Sequence, residues 1–259
     1  MYVRYEKPLY DQETKGLAII QHGYSSSMDA PHIKAMARTF QENGLATLSL
    51  DATHSFNPGD GDLEGNTIET HLHDLYDAIE WAKQQEWFIS PFALAGHSLG
   101  GYTVLHYAEE HPEDISLLFP CSAVTSGEKL AEAFERGMPE GVFESWRDKG
   151  YMEIESWDGS GKTGKRPFSW LTGMKDCSVL ENAHKLTMPV LLVVGSEDIP
   201  TPYDHHLELY NLLPGEDREM HIIPGSDHPF TDPQHRHKMA EILDSWLKSK
   251  LSDYISSNK

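Results

Sequence analysis

The chain has 259 residues, 39% of them hydrophobic, and carries 21 basic against 41 acidic residues for a formal charge of −20. That length suits one large α/β domain or two small ones, and no apolar run approaches membrane-spanning length. The acidic balance argues against nucleic acid and anionic membrane as partners, because both need a basic surface, and it disfavours polyanionic substrates. Met1 to Glu6 lacks the basic-then-apolar pattern of a signal peptide, so a cytoplasmic location is expected. Cys121 and Cys177 impose no disulfide framework, and whether they pair is open.

In chain order, residues 1–8 alternate as an edge strand would. Residues 16–21 form a nearly continuous apolar run, the mark of a buried central strand. Residues 28–43 carry Ile33, Met36, Ala37 and Phe40 at helical spacing and stop at Asn43-Gly44. A strand follows at 45–50, then a loop rich in Gly, Asp and Asn over 51–67. A long amphipathic helix is predicted over 68–87, with Leu72, Leu75, Ile79 and Trp81 or Ala82 facing inward. The run 92–95 leads into Gly96-His97-Ser98-Leu99-Gly100-Gly101, and a helical pattern continues to Glu110. Another apolar run covers 115–123. Strand and helix alternate strictly to this point, which implies a parallel sheet with helices on both faces.

Over 125–187 that rhythm breaks. Residues 128–136 and 140–149 look helical, 151–157 alternates like a strand, Asp158 to Gly161 reads as a turn, and 162–168 as a return strand. The block is too long for a connection and too short for an independent domain. It is expected to be a cap inserted into a core formed by 1–124 and 188–259. The rhythm resumes with a strand at 190–194, a helix at 203–213, a strand at 219–223 and a closing helix at 236–251.

Ser98 falls on a strand-to-helix turn within G-x-S-x-G. Gly96 and Gly100 suit such a turn, because a side chain at either place would collide with the adjacent strand or helix. The turn holds the hydroxyl clear of the sheet, at the head of a helix whose first N–H groups are unpaired. Asp198, His228 and the stretch Gln21 to Ser25 also fall at the C-terminal ends of predicted parallel strands, where open α/β sheets place their chemistry. The chain order is Ser, Asp, His.

On these motifs, His22-Gly23-Tyr24, Asp51, Gly96 to Gly101, Gly195 to Asp198 and Gly225 to His228, the chain resembles the α/β-hydrolase superfamily over nearly its whole length. It is most similar to capped bacterial carboxylesterases, cinnamoyl (feruloyl) esterases and monoacylglycerol-lipase-like serine hydrolases. Ala52-Thr53-His54-Ser55-Phe56 departs from the arginine or asparagine and Gly-His-Gly that relatives often carry there. This loop is therefore the chain's own, and it weakens any transfer of substrate.

The resemblance implies an α/β-hydrolase fold and a serine carboxylic-ester hydrolase working through an acyl-enzyme. Ser98 is the expected nucleophile and His228 the base, since a serine hydroxyl needs a neutral imidazole to accept its proton. Asp198 would fix the imidazole tautomer and offset its transient charge. Glu197 and Asp227 are the rival acids, the latter read as a turn carboxylate bonding its own backbone. The backbone N–H groups of Leu99 and Tyr24 are the expected oxyanion donors, each typically worth about 3 kcal/mol in the transition state. Expected substrate-binding residues are His22, His97, Trp146, Tyr151, Trp157 and Trp170. His22 is read chiefly as a histidine tying loops together, His97 as a pocket wall or packed residue. The cap aromatics, which also include Phe143 and Phe168, divide between a small core of their own and an acyl or aryl pocket.

No cofactor and no metal are expected: His71 with His73, His205 with His206, and His235 with His237 lack the i, i+4 spacing of a zinc-binding helix. The expected partner is a small-molecule ester, and the expected state is a monomer or homodimer. The same machinery could serve a serine peptidase or amidase, and the fold could also carry a binding module without turnover.

Overall fold

The computed structural model describes residues 1–10, 12–56, 61–157 and 160–257, with side chains through 252. Seven strands form the central sheet: β1 (Tyr2–Glu6), β2 (Gly16–Gln21), β3 (Leu45–Asp51), β4 (Phe92–His97), β5 (Ile115–Cys121), β8 (Val190–Gly195) and β9 (Arg218–Ile223). Their order is β1-β3-β2-β4-β5-β8-β9. Only β1 runs antiparallel, pairing with β3 at the edge, and the other pairings are parallel. This is the mostly parallel sheet that the alternating elements predict, in keeping with the α/β-hydrolase fold that the resemblance implies.

Alternation along each central strand divides the core in two. Leu17 and Ile19 face one layer with α2 (Ile68–Ala82), α3 (Leu99–Glu110) and α7 (Tyr203–Leu212). Ala18 and Ile20 face the other, covered by α1 (Pro31–Glu42) and α8 (Pro233–Ser257) through Ile33, Met36, Phe40, Leu243 and Trp246. Because both faces are covered, β2, β4 and β8 are buried along nearly their whole length, and this is why they read as unbroken apolar runs.

One reading of the 68–87 helix needs correction: the helix ends at Ala82, because Trp87 turns back to stack on Tyr5 of the edge strand, with ring centroids 4.1 Å apart. Its buried face is Ile68, His71, Asp74, Leu75, Ala78, Ile79 and Ala82, with half-buried Leu72 packed against the same core; of the pair Trp81 or Ala82 it is Ala82 that turns inward, and Trp81 is exposed. Among the described residues no helix is long and apolar enough to cross a membrane.

Between β5 and β8 the chain builds α4 (Gly127–Gly137), α5 (Val142–Lys149), the antiparallel hairpin β6 (Tyr151–Glu155) and β7 (Thr163–Pro167), and α6 (Phe168–Gly173). Part of the expected hairpin turn, 158–159, and part of the 51–67 loop, 57–60, lie outside the described residues. The short helix α6 was not expected; the predicted return strand stops at Pro167 instead. The two ends of the segment bond to each other, Gly127 N–H to Cys177 O at 2.8 Å and Val179 N–H to Thr125 O at 3.0 Å. The hairpin is tied to loops of the sheet by Trp157 N–H to Ser25 O at 3.2 Å and Lys162 Nζ to Phe56 O at 2.6 Å.

Candidate active site

Ser98 joins β4 to α3 with φ 57° and ψ −117°, a left-handed conformation that costs a side-chain-bearing residue about 1–3 kcal/mol and persists only where its surroundings impose it. They do so here. Ser98 N–H donates to Cys121 O, and its own carbonyl accepts from both Tyr102 N–H and Val124 N–H, each at 3.1 Å. A methyl on Gly96 would lie 2.2 Å from Gly100 O, and one on Gly100 would lie 2.4 Å from the carbonyls of both Gln21 and His22. The two glycines thus let the head of α3 pack directly on the ends of β4 and β2. The Leu99 amide opens the helix and has no partner within it. The His22-Gly23-Tyr24 loop stands beside the serine, since a methyl on Gly23 would fall 2.7 Å from Ser98 Cβ.

Three distant segments converge. Ser98 Oγ–H donates to His228 Nε2 at 2.8 Å, and His228 Nδ1–H donates to both carboxylate oxygens of Asp198 at 2.9 Å. The Asp198 side chain is fully buried and that of His228 nearly so. Burial alone would raise the Asp198 pKa. The charge and hydrogen bond of His228, with the Thr201 amide 2.9 Å from Oδ1, outweigh it and hold the carboxyl below its ordinary value. The rival acids sit apart. Glu197 is exposed, and Asp227 accepts from Thr231 N–H at 2.8 Å in its own turn.

The neighbouring histidines are engaged otherwise. His22 is fully buried, with Nδ1–H donating to Gly23 O at 2.7 Å and Nε2 accepting from Ala52 N–H at 3.0 Å. His97 donates from Nε2 to the backbone carbonyl of His228 at 2.9 Å and packs against that ring. Burial and the adjacent His228 push His97 down to about 3, so it stays neutral. Neither lines the cavity over Ser98. Among the described residues no cluster of His, Cys, Asp or Glu could hold a metal ion, and both cysteines are free.

A cavity of about 810 Å³ opens onto Ser98 and His228. Its roof comes from α4 (Leu130, Phe134), β6 (Met152, Ile154), β7 (Arg166) and α6 (Trp170). Trp157 and Trp170, both expected as substrate-binding, line it; Trp146 and Tyr151 do not. Trp146 is buried edge-on against Phe134, Phe143 and Phe168 in the segment's own aromatic core. Tyr151 lies on the outer face of β6, where Met152 and Ile154 alternate inward, and stacks under Lys165.

Arg166 is a buried, charged cavity residue that sequence reading missed. It is 9% exposed and stacks over Tyr24, Trp170 and Phe134 at 4.7, 5.0 and 5.8 Å. Burial lowers its pKa to about 10, which leaves it charged at neutral pH. The available signal was the period of two in Thr-Gly-Lys-Arg-Pro, which sends Lys165 outward and Arg166 inward.

Residues 60–253 match the prolyl oligopeptidase family. The chain is 24% identical to the monoacylglycerol lipase of Mycolicibacterium smegmatis, over 93% of this chain and 91% of that one. It is 23% identical to the mouse mitochondrial palmitoyl-protein thioesterase ABHD10, over 94% and 78% of the two chains. Among solved structures, Est1E from Butyrivibrio proteoclasticus with ferulic acid bound superimposes with a TM-score of 0.76 at 24% identity, covering 97% of this chain and 95% of that one. Fold, match and likeness agree: the chain belongs to the prolyl oligopeptidase family and is a hydrolase built on the α/β-hydrolase fold.

Proposed function

We propose that the protein is a serine carboxylic-ester hydrolase working through an acyl-enzyme. The observation that carries this reading is the Ser98–His228–Asp198 hydrogen-bonded triad, with hydrogen bonds of 2.8 and 2.9 Å, opening onto a half-open, largely apolar cavity. His228 Nε2 takes the hydroxyl proton as Ser98 Oγ attacks the acyl carbon. The amides of Leu99 and Tyr24 receive the charge that develops on the carbonyl oxygen. Collapse of the intermediate breaks the bond to the alcohol, which leaves with the proton from His228. Water then attacks the acyl-enzyme by the same route and releases the acid.

Residues 125–187 serve in this reading as a cap whose inner wall selects the acyl or alcohol group. Trp157 and Trp170 favour an aromatic acyl group such as a hydroxycinnamate, in keeping with the likeness to a protein solved with ferulic acid. The family match favours a second reading, the same relay acting on an amide. The test compares kcat/KM for p-nitrophenyl butyrate, a hydroxycinnamate ester and an aminoacyl-p-nitroanilide. The proposal expects the esters to exceed the anilide by at least about a hundredfold. A preferred anilide would replace the esterase by a peptidase.

A further inference from the structure

Arg166 stands out among the groups that the reaction does not use. Among the described residues no carboxylate pairs with its guanidinium, which sits on the inner face of the β6–β7 hairpin in the cavity that contains Ser98. Its polar neighbour is the Tyr24 phenol, which donates to Leu63 O at 3.2 Å. Its Nε is buried without an acceptor, as is the indole Nε1 of Trp170 beside it. The contrast with Arg236, the other arginine lining the cavity, is direct: that side chain donates to Phe230 O at 2.8 Å. Glu155, the carboxylate among the lining residues, lies exposed.

The fit of the site is specific. The guanidinium stacks on Tyr24, Trp170 and Phe134 and donates one hydrogen bond to the Tyr24 phenol, which leaves the buried Nε–H in its plane without an acceptor. The Trp146 indole donates to the Arg166 carbonyl at 3.0 Å and fixes the backbone from behind. A buried, uncompensated cation in a ligand cavity is unfavourable until an anion reaches it. Tyr24, whose amide is the proposed oxyanion donor, holds Arg166 through its ring at 4.7 Å, and Tyr24, Arg166 and Ser98 line the same cavity. The net charge of −20 would repel a polyanion.

We propose that Arg166 is a specificity-determining residue that recognises a single carboxylate, or a comparable monoanion, on the ester substrate. This rests on the esterase reading of the same site. Two matched pairs locate the anion: p-nitrophenyl hemiglutarate against p-nitrophenyl pentanoate for the acyl side, and 3-carboxyphenyl butyrate against phenyl butyrate for the alcohol side. In one pair the wild type should prefer the charged member in kcat/KM. Arg166→Met should lower that charged-to-neutral ratio by about 30-fold or more, and Arg166→Lys should restore part of it. Should Arg166→Met fold poorly by circular dichroism, the wild-type ratios and Arg166→Lys decide alone. Neutral esters turned over with no preference for the charged member of either pair would overturn this inference and leave the esterase intact. No turnover of any of the four, with Ser98 unlabelled by a fluorophosphonate, would remove both.

Discussion

Three histidines crowd Ser98, and their hydrogen bonds decide which one can take a proton. His22 has both ring nitrogens committed to loop backbone. His97 spends its Nε2–H on the His228 carbonyl and is held neutral by burial. Only His228 faces the serine with one nitrogen and a buried carboxylate with the other. In the proposed mechanism the carboxylate sets the tautomer, so Asp198→Asn should leave the geometry nearly intact while presenting Nε2 in its protonated form. The expected loss in kcat is on the order of 10⁴-fold. A crystal structure of the variant with the ring in place, together with near wild-type turnover, would show that Asp198 does not have this role.

The site is assembled from strand ends. Five of the six described non-glycine residues with positive φ, Ser25, His54, Ser98, Ser122 and Phe230, lie in the loops that follow β2, β3, β4, β5 and β9, and the sixth, Tyr10, lies between β1 and β2. Backbone strain is therefore concentrated on one rim of the sheet, as functional sites tend to hold it. Gly100 is one of the tight points of this assembly, where a methyl would lie 2.4 Å from two carbonyl oxygens. Gly100→Ala forces a methyl against two carbonyls of the β2 end, so it should destabilise the fold by about 1–3 kcal/mol and displace Ser98. Urea unfolding and ester turnover would both register it; an unaffected midpoint would mean that β2 and α3 yield more easily than their packing suggests.

At this scale the sequence was most legible where one physical rule acted alone. Buried parallel strands showed as apolar runs, and the serine turn showed as spaced glycines. It was least legible where distant residues compete. Nothing within 68–87 reveals that Tyr5 will capture Trp87 and end the helix at Ala82. The division of the aromatics between a packed core and the cavity wall depends on how α4, α5 and α6 meet. Arg166 was visible only through strand alternation in a five-residue segment, beside a lysine of the same charge that points the other way.

For the molecule as a whole, stability should carry the mark of Glu109. This α3 residue is 3% exposed, and neither carboxylate oxygen has a hydrogen-bond partner; the nearest basic group, His106 Nδ1, stands 4.0 Å from Oε2. Burial raises its carboxyl to about 8 in the folded protein, well above its value in the unfolded chain. Between the ordinary carboxylate range and pH 8 the folded state thus binds more protons than the unfolded one. Its contribution is fully present at the acid end of that window and is lost as pH rises through 8. Glu109→Gln removes the dependence. Its Tm advantage over the wild type should be about 2 °C or more larger at pH 8 than at pH 5, whereas an advantage that does not change with pH would mean that Glu109 ionises normally.

The same architecture brings residues 98, 198 and 228 together from three loops, and the chemistry proposed for the molecule depends on that convergence. Its most direct test is covalent labelling with a fluorophosphonate followed by peptide mapping. The account predicts stoichiometric modification at Ser98, strongly slowed in His228→Gln and absent in Ser98→Ala, which should also lose ester cleavage. Modification at another residue, or undiminished ester turnover by Ser98→Ala, would contradict it.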